Sequence, residues 1–283
     1  MKIGLFVSAL FIAFFVYGDE VLQLSLSPAP GMTRADIFYL KSNDTKEPKA
    51  VLVLCPGCNG NGNGYVANPT WQSYAKRMNL GLVGLSFASE TAGLKEGEGY
   101  YYANQGSGQL LLAGLKKIYG KDLPVLIYGI SGGAHFTARF TEWDEKGVLA
   151  WCAYSAAWWD KPLKSKEMPP GIVACGIEDE RLDASLRYFW DGREIGKPWL
   201  WIEITGIGHA SSRQLESFVR DYFEIILKAE GKIEPFKQGL WVDIYERTPV
   251  TSESAKTRPC AAAWLPDKSL MDKWLSFTKG TQQ

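Results

Sequence analysis

Gly129-Ile130-Ser131-Gly132-Gly133 constrains this chain more than any other segment. It follows an apolar β-like run, Val125 to Tyr128, and opens a stretch from Ala134 to Trp143 that can be helical. A Gly-x-Ser-x-Gly turn between strand and helix is a nucleophile-elbow pattern. The turn is so tight that the residues two before and two after the serine must be small, or their side chains would collide. In return the hydroxyl stands exposed, and the N–H groups at the helix start face whatever binds there. Short Gly/Ser runs also arise by chance in a chain with 29 glycines, so the pentapeptide gains weight only from its context.

That context is an alternation of strand and helix. β-like segments fall at Ile37–Leu40, Ala50–Leu54, Gly81–Phe87, Val125–Tyr128, Leu149–Tyr154, Gly171–Cys175 and Leu200–Thr205. Several are continuous apolar runs, which suits parallel strands covered on both faces. Between them, Asn68-Pro69 caps and starts a helical pattern with Trp71, Tyr74, Ala75 and Met78 on one face. Leu111, Leu115 and Ile118 mark a second helix, the stretch after Ser131 a third, and Leu182, Leu186, Phe189 and Trp190 a fourth. The clearest carries Leu215, Phe218, Val219, Tyr222, Phe223 and Ile226, with a Ser211-x-x-Gln214 capping box before it and Gly231 after it. The expected fold class is α/β, a mostly parallel central sheet with helices on both faces. Ser89 to Ser107, Gly-rich and bearing Tyr100-Tyr101-Tyr102, reads as a long loop of the kind that is functional or mobile. Residues from about 235 to 283 read as a C-terminal extension packed on the domain, with a strand at Leu240–Tyr245 and a last helix bearing Leu270, Trp274 and Phe277.

Residues 1–18 read as a cleaved signal peptide: Lys2, an apolar run from Ile3 to Val16, then Tyr17-Gly18. The run is short for a membrane span, and acidic Asp19-Glu20 follows where a basic flank would stop transfer. A retained anchor is the alternative reading. The expected location is secreted or periplasmic, with no stable membrane span after signal cleavage, and residues 19–283 fit one α/β domain. Charges balance at 31 and 31 with no basic patch, which argues against a nucleic-acid partner. Five cysteines (Cys55, Cys58, Cys152, Cys175, Cys260) leave one or two disulfides open, with at least one thiol unpaired within a monomer. The C-x-x-C spacing of Cys55 and Cys58 lacks the second pair or local histidine that zinc would need. No metal or cofactor is expected.

A serine hydroxyl is a poor nucleophile until a base removes its proton. The chain has two histidines. His135 lies on the same helix as Ser131, whereas His209 follows the last β-like run in Gly206-Ile207-Gly208-His209-Ala210, where glycines let a loop place an imidazole over the strand ends. His209 is the expected base. His135 is expected to be structural, its ring satisfied by local hydrogen bonds. The acid that orients the base is expected at Asp179, in Gly176–Glu180 at the C-terminal edge of a strand. Glu178, Glu180 and Asp160 are the alternatives, since adjacent acids also suit a helix N-terminus. The chain order Ser131, Asp179, His209 is one known arrangement of such triads. Oxyanion donors are expected at the backbone N–H groups of Gly132 and of Cys58 in the glycine-rich loop Leu54–Gly62, with Asn59 second to Cys58; a plain surface turn is the other reading of that loop. Asn59, Tyr101, Trp158 and Trp159 are candidate substrate-binding residues, although such aromatics also serve as packing.

Together these residues resemble the α/β-hydrolase superfamily. Four segments carry the specific part: Pro56-Gly57-Cys58, Gly129–Gly133, Gly176–Asp179 and Gly208-His209. The Pro-Gly-Cys loop and the Gly-Gly after Ser131 look most like the dienelactone-hydrolase and secreted polyester-depolymerase or feruloyl-esterase branch. That branch often has His-Gly-Cys in the loop, and Pro56 replaces the histidine here, which removes a brace but keeps the backbone donor. The resemblance implies an exported serine hydrolase that cleaves carboxylic esters through an acyl-enzyme. Its implied partner is an external ester such as an acylated polysaccharide or a polyester. A peptidase of the same fold and a catalytically inactive binding protein are the alternatives.

Overall fold

The structure is a computed structural model that describes residues 19–41, 47–164, 169–229 and 233–278. The expected signal segment 1–18 lies outside the described residues. Eight strands form the main sheet: β1 (Glu20–Ser25), β2 (Met32–Lys41), β3 (Ala50–Cys55), β4 (Leu80–Ser89), β5 (Val125–Ile130), β6 (Val148–Tyr154), β7 (Gly171–Gly176) and β8 (Trp199–Ile204). Their order is β1-β2-β4-β3-β5-β6-β7-β8. The pairs from β4 to β8 are parallel, and β1–β2 and β2–β4 are antiparallel. The continuous apolar runs β3, β4 and β7 are buried along their whole length, as strands covered on both faces must be. β1 was not expected. Its Val21, Leu22 and Leu24 are interrupted by polar Gln23 and only partly buried at the sheet margin, so it lacks the continuous signal of its neighbours.

Among the described residues, seven α-helices accompany this sheet: α1 (Asn63–Val66), α2 (Pro69–Met78), α3 (Thr91–Lys95), α4 (Ser107–Tyr119), α5 (Gly132–Trp143), α6 (Leu182–Glu194) and α7 (Arg213–Lys228). The winding reverses between β4 and β5, so right-handed crossovers put α2 on one face and α4, α5 and α6 on the other. An ion pair from Arg77 to Glu224 and the Arg220 guanidinium over the Trp71 ring hold α7 beside α2. Local signals start these helices. Asn68 Oδ1 accepts from the Thr70 N–H at 2.9 Å, Pro69 follows it, and Asn79 ends α2 in the left-handed region. At α7 the cap is Ser212 rather than the expected Ser211: its Oγ accepts from the Leu215 N–H at 3.2 Å, while Gln214 donates to Ser276 instead of closing a capping box. The expected stop at Gly231 falls outside the described residues; the helix ends at Lys228. All six expected apolar positions of α7 are buried, and full burial of a side chain such as Leu215, Phe218 or Ile226 contributes about 1.5–3 kcal/mol relative to exposure.

Beyond α7, β9 (Leu240–Asp243), β10 (Pro249–Val250) and β11 (Ala262–Leu265) form an antiparallel sheet in the order β10-β9-β11, accompanied by α8 (Ser252–Thr257) and α9 (Met271–Leu275). Only its first strand was expected. Arg193 of α6 ties this unit to the main body: its buried guanidinium lies over the Trp241 ring and donates to the carbonyls of Lys197, Ala255 and Ala262. The Trp274 indole N–H donates to the Trp201 carbonyl in β8 at 2.9 Å, and the Thr205 N–H to the Phe277 carbonyl at 3.1 Å. All five cysteines are free thiols, with Cys152 and Cys175 buried inside strands. Among the described residues no helix is long and apolar enough to cross a membrane.

Candidate active site

The turn after β5 is as tight as its sequence requires. Ser131 has φ 54° and ψ −117°, a conformation that non-glycine residues rarely adopt. A Cβ on Gly129 would collide with the Gly133 carbonyl, and a Cβ on Gly133 would lie 2.5 Å from the Pro56 carbonyl oxygen. Both positions therefore demand glycine, and the strain at Ser131 is held by packing on each side. The Ser131 N–H donates to the Tyr154 carbonyl of β6 at 2.8 Å, and its own carbonyl starts α5 by accepting from Ala134 and His135.

His209 arrives from the loop after β8. Its Nε2 lies 2.9 Å from Ser131 Oγ, and its Nδ1 lies 2.8 Å from Asp179 Oδ2. Asp179 follows β7 with its carboxylate buried, and Oδ1 accepts from the Arg181 backbone N–H at 3.1 Å and from Arg181 Nη1 at 2.9 Å. Burial alone would raise this carboxyl's pKa, but hydrogen bonds from His209, Arg181 and Ser155 hold it below the usual carboxylate range. The other acids go elsewhere. Asp160 takes a two-pronged bond from Arg139, at 2.6 and 3.1 Å. Glu178 and Glu180 are exposed, and Glu180 reaches Arg181. Arg181 and Ser155, which share Asp179 with the imidazole, were missed at the sequence level. An arginine two residues past a carboxylate is a weak signal, and Ser155 comes from another strand end.

The loop after β3 closes over the start of α5. A Cβ on Gly132 would lie 2.6 Å from Cys58 N and 2.5 Å from Cys58 Cα, so the two backbones abut. The N–H groups of Cys58 and Gly132 have no acceptor among the described residues. Arg34 of β2 braces this loop: its Nη2 donates to the carbonyls of Asn59 and Gly60, each at 2.7 Å, and its Nε to the Ser86 carbonyl at 3.0 Å. A brace thus exists although Pro56 stands where the resembled branch often has a histidine, and nothing local in the sequence points to Arg34.

Asn59, a candidate for substrate binding, has its polar groups engaged within the protein. Its amide is spent on the Ser89 backbone in both directions, at 2.9 and 3.0 Å, and its N–H donates to Tyr100 Oη at 3.1 Å, so these groups fasten the loop. Tyr101 is buried, its ring stacked on His135 at 4.7 Å. Trp158, 45% exposed, stacks on the opposite side of the same imidazole at 5.2 Å and leaves a free ring face. Trp159 instead stacks on Tyr188 of α6 at 4.2 Å, which makes it packing for that helix. His135 is structural, but its partners are not local: Nδ1 bonds the Trp158 carbonyl at 2.9 Å and Nε2 the Ala157 N–H at 3.3 Å. A separate cavity of about 220 Å³, lined by Tyr39, Leu80, Gly81 and Tyr119, opens at the N-terminal end of β4, away from Ser131.

A serine at an elbow after β5, an acid after β7 and a histidine after β8 of a mostly parallel sheet define the α/β-hydrolase fold, and this chain has it. Among solved structures it is similar to a ferulic acid esterase, with TM-score 0.53, 15% identity, and 75% of this chain and 96% of that one covered. It is also similar to S-formylglutathione hydrolase from Staphylococcus aureus, with TM-score 0.53, 14% identity, and 74% and 98% covered. A third similar structure is the poly(3-hydroxybutyrate) depolymerase LpqC from Bordetella parapertussis, with TM-score 0.53, 16% identity, and 77% and 91% covered. Two of these carry names from the branch that the loop and elbow residues resemble. No family model and no curated protein sequence matches the chain.

Proposed function

We propose that the protein is an exported serine hydrolase of carboxylic esters. The observation that carries this reading is the hydrogen-bonded line from Ser131 Oγ through His209 to Asp179, next to which the Cys58 and Gly132 backbones abut. In this reading Ser131 Oγ attacks the ester carbonyl carbon while His209 Nε2 takes its proton. Asp179 holds the imidazole with Nδ1 protonated and stabilises the imidazolium that forms. The negative oxygen of the tetrahedral intermediate sits against the Cys58 and Gly132 N–H groups and the positive end of α5. The bond to the alcohol oxygen then breaks, and His209 delivers its proton to that oxygen. Water repeats the sequence on the acyl-enzyme, giving the acid and free Ser131. None of these steps calls for a cofactor. Names such as ferulic acid esterase and poly(3-hydroxybutyrate) depolymerase among the structural neighbours favour esters over amides. Export rests on the character of residues 1–18.

The test is a panel of p-nitrophenyl esters against aminoacyl-p-nitroanilides, together with labelling by a fluorophosphonate. Ester turnover with labelling lost in Ser131→Ala is the expected result. Anilide turnover alone would make the protein a peptidase, and the absence of both turnover and labelling would make it a binding protein.

A further inference from the structure

Gly132 has no side chain, and the hydroxyl of Tyr101 stands where one would begin. A Cβ at Gly132 would lie 2.7 Å from Tyr101 Oη and 2.6 Å from Cys58 N. Three polar hydrogens therefore gather within one side chain's width: the N–H groups of Cys58 and Gly132 and the O–H of Tyr101. The phenol is fixed in place, because its ring lies on His135 at 4.7 Å and edge-on to Tyr100 at 4.8 Å. Its neighbours within hydrogen-bonding reach are the Tyr100 hydroxyl and the Cys58 side chain. A neutral acceptor yields to an oxyanion, since charge-assisted hydrogen bonds are roughly twice as strong as neutral ones. Burial pushes the phenol's pKa up, so the hydroxyl keeps its proton and stays a donor.

We propose that the Tyr101 hydroxyl is a third oxyanion donor, a side chain acting beside two backbone N–H groups, and that residue 132 is glycine so that this hydroxyl can reach the site. The proposal rests on Ser131 as nucleophile. When the ester carbonyl becomes tetrahedral, the phenol turns its O–H from these neighbours to the new oxyanion and keeps its proton throughout. The phenol oxygen is held in place before charge develops, so only its O–H has to rotate, and little reorganisation opposes stabilisation of the transition state.

Tyr101→Phe deletes one oxygen and keeps the ring stack. Its kcat for p-nitrophenyl acetate should fall on the order of 10²-fold with KM nearly unchanged, as for loss of a single oxyanion donor. Affinity for a trifluoromethyl ketone, which forms a tetrahedral oxyanion on the serine, should weaken by the same factor as kcat/KM. A parent-like kcat, or a loss confined to KM, overturns the proposal. If Tyr101→Phe melts early, a structure of the ketone adduct of the parent enzyme decides. Tyr101 Oη within about 3.0 Å of the oxyanion supports the proposal, and a separation beyond about 3.5 Å overturns it. A parent enzyme with neither turnover nor adduct overturns the hydrolase reading as well, whereas a parent-like Tyr101→Phe leaves that reading standing.

Discussion

The two histidines of this chain sit close to the same serine in surroundings of opposite kind. His209 lies exposed on a loop, and each ring nitrogen faces an ionisable or reactive side chain, Asp179 on one side and Ser131 on the other. His135 is buried one helical turn past Ser131, sandwiched between Tyr101 and Trp158, and both nitrogens meet backbone. A carbonyl at Nδ1 and an N–H at Nε2 fix one neutral tautomer, since a second ring proton would point at the Ala157 N–H. Desolvation, with the Arg139 charge added, pushes the His135 pKa down to about 3. Partner type separates the two: side chains that can exchange a proton suit a carrier, and fixed backbone groups make a strut.

The largest expected effects test the carrier. Ser131→Ala and His209→Ala should each lower kcat for a good ester on the order of 10⁶-fold, and the double variant should lose little more, because the two act as one unit. Turnover within about tenfold of the parent in either variant would break the contrast. Asp179→Asn comes next, at about 10⁴-fold, because an amide there no longer enforces the productive tautomer. If Asp160→Asn or Glu178→Gln gave that loss and Asp179→Asn did not, the acid would have to be reassigned.

Substitution of the strut should show in stability before turnover. His135→Ala should destabilise the fold by about 2–4 kcal/mol, from a lost ring and two backbone groups left unpaired, with a kcat loss far below that of His209→Ala. The pH dependence has a definite sign. The folded site refuses a proton down to about pH 3, whereas the unfolded imidazole takes one up near 6.5, so this residue costs no stability above that range and progressively more as pH falls through it. His135→Gln should flatten that part of the urea-midpoint profile; an unchanged slope would show that His135 is not the source.

Two carboxylates extend the same contrast with a smaller effect. Asp179 is held low by hydrogen bonds, whereas Glu142 of α5, bonded to Tyr188 Oη at 3.1 Å and facing Asp160 and Lys197, is pushed up to about 7 by desolvation. The folded protein therefore binds more protons than the unfolded chain between about 4.5 and 7, and stability from this group falls as pH rises through that window. Glu142→Gln should remove that decline and be the more stable form at pH 8 by chemical denaturation. A variant less stable than its parent at that pH would show that the charged form is well solvated in the fold.

What the sequence made readable follows its range of interaction. Strands β3 to β8 announce themselves as apolar runs because each is covered on both faces, and α7 does so because one face is apolar at helical spacing. Ser131 is readable because the elbow's steric demands fall on its neighbours within two residues. Arg34 is 25 residues from the carbonyl it braces, and Ser155 meets Asp179 only after two strands pair, so neither leaves a local trace. β10 and β11 are too short for periodicity, and they hold their place by pairing with β9. The Tyr100-Tyr101-Tyr102 run marked an important loop, but only the fold distinguishes the ring on His135 from the two beside it.

The end of the chain has one more consequence. β8 closes the main sheet on one side, and a strand with open backbone groups can recruit a strand from another molecule. Here the Trp201 carbonyl is taken by an indole, and the Thr205 N–H, just past β8, by the turn after α9. Neither partner is a strand, so groups of the tail occupy part of the margin where a further strand would pair. A chain stopped at Lys228 would keep Ser131, Asp179 and His209 yet present a bare final strand to its neighbours in solution.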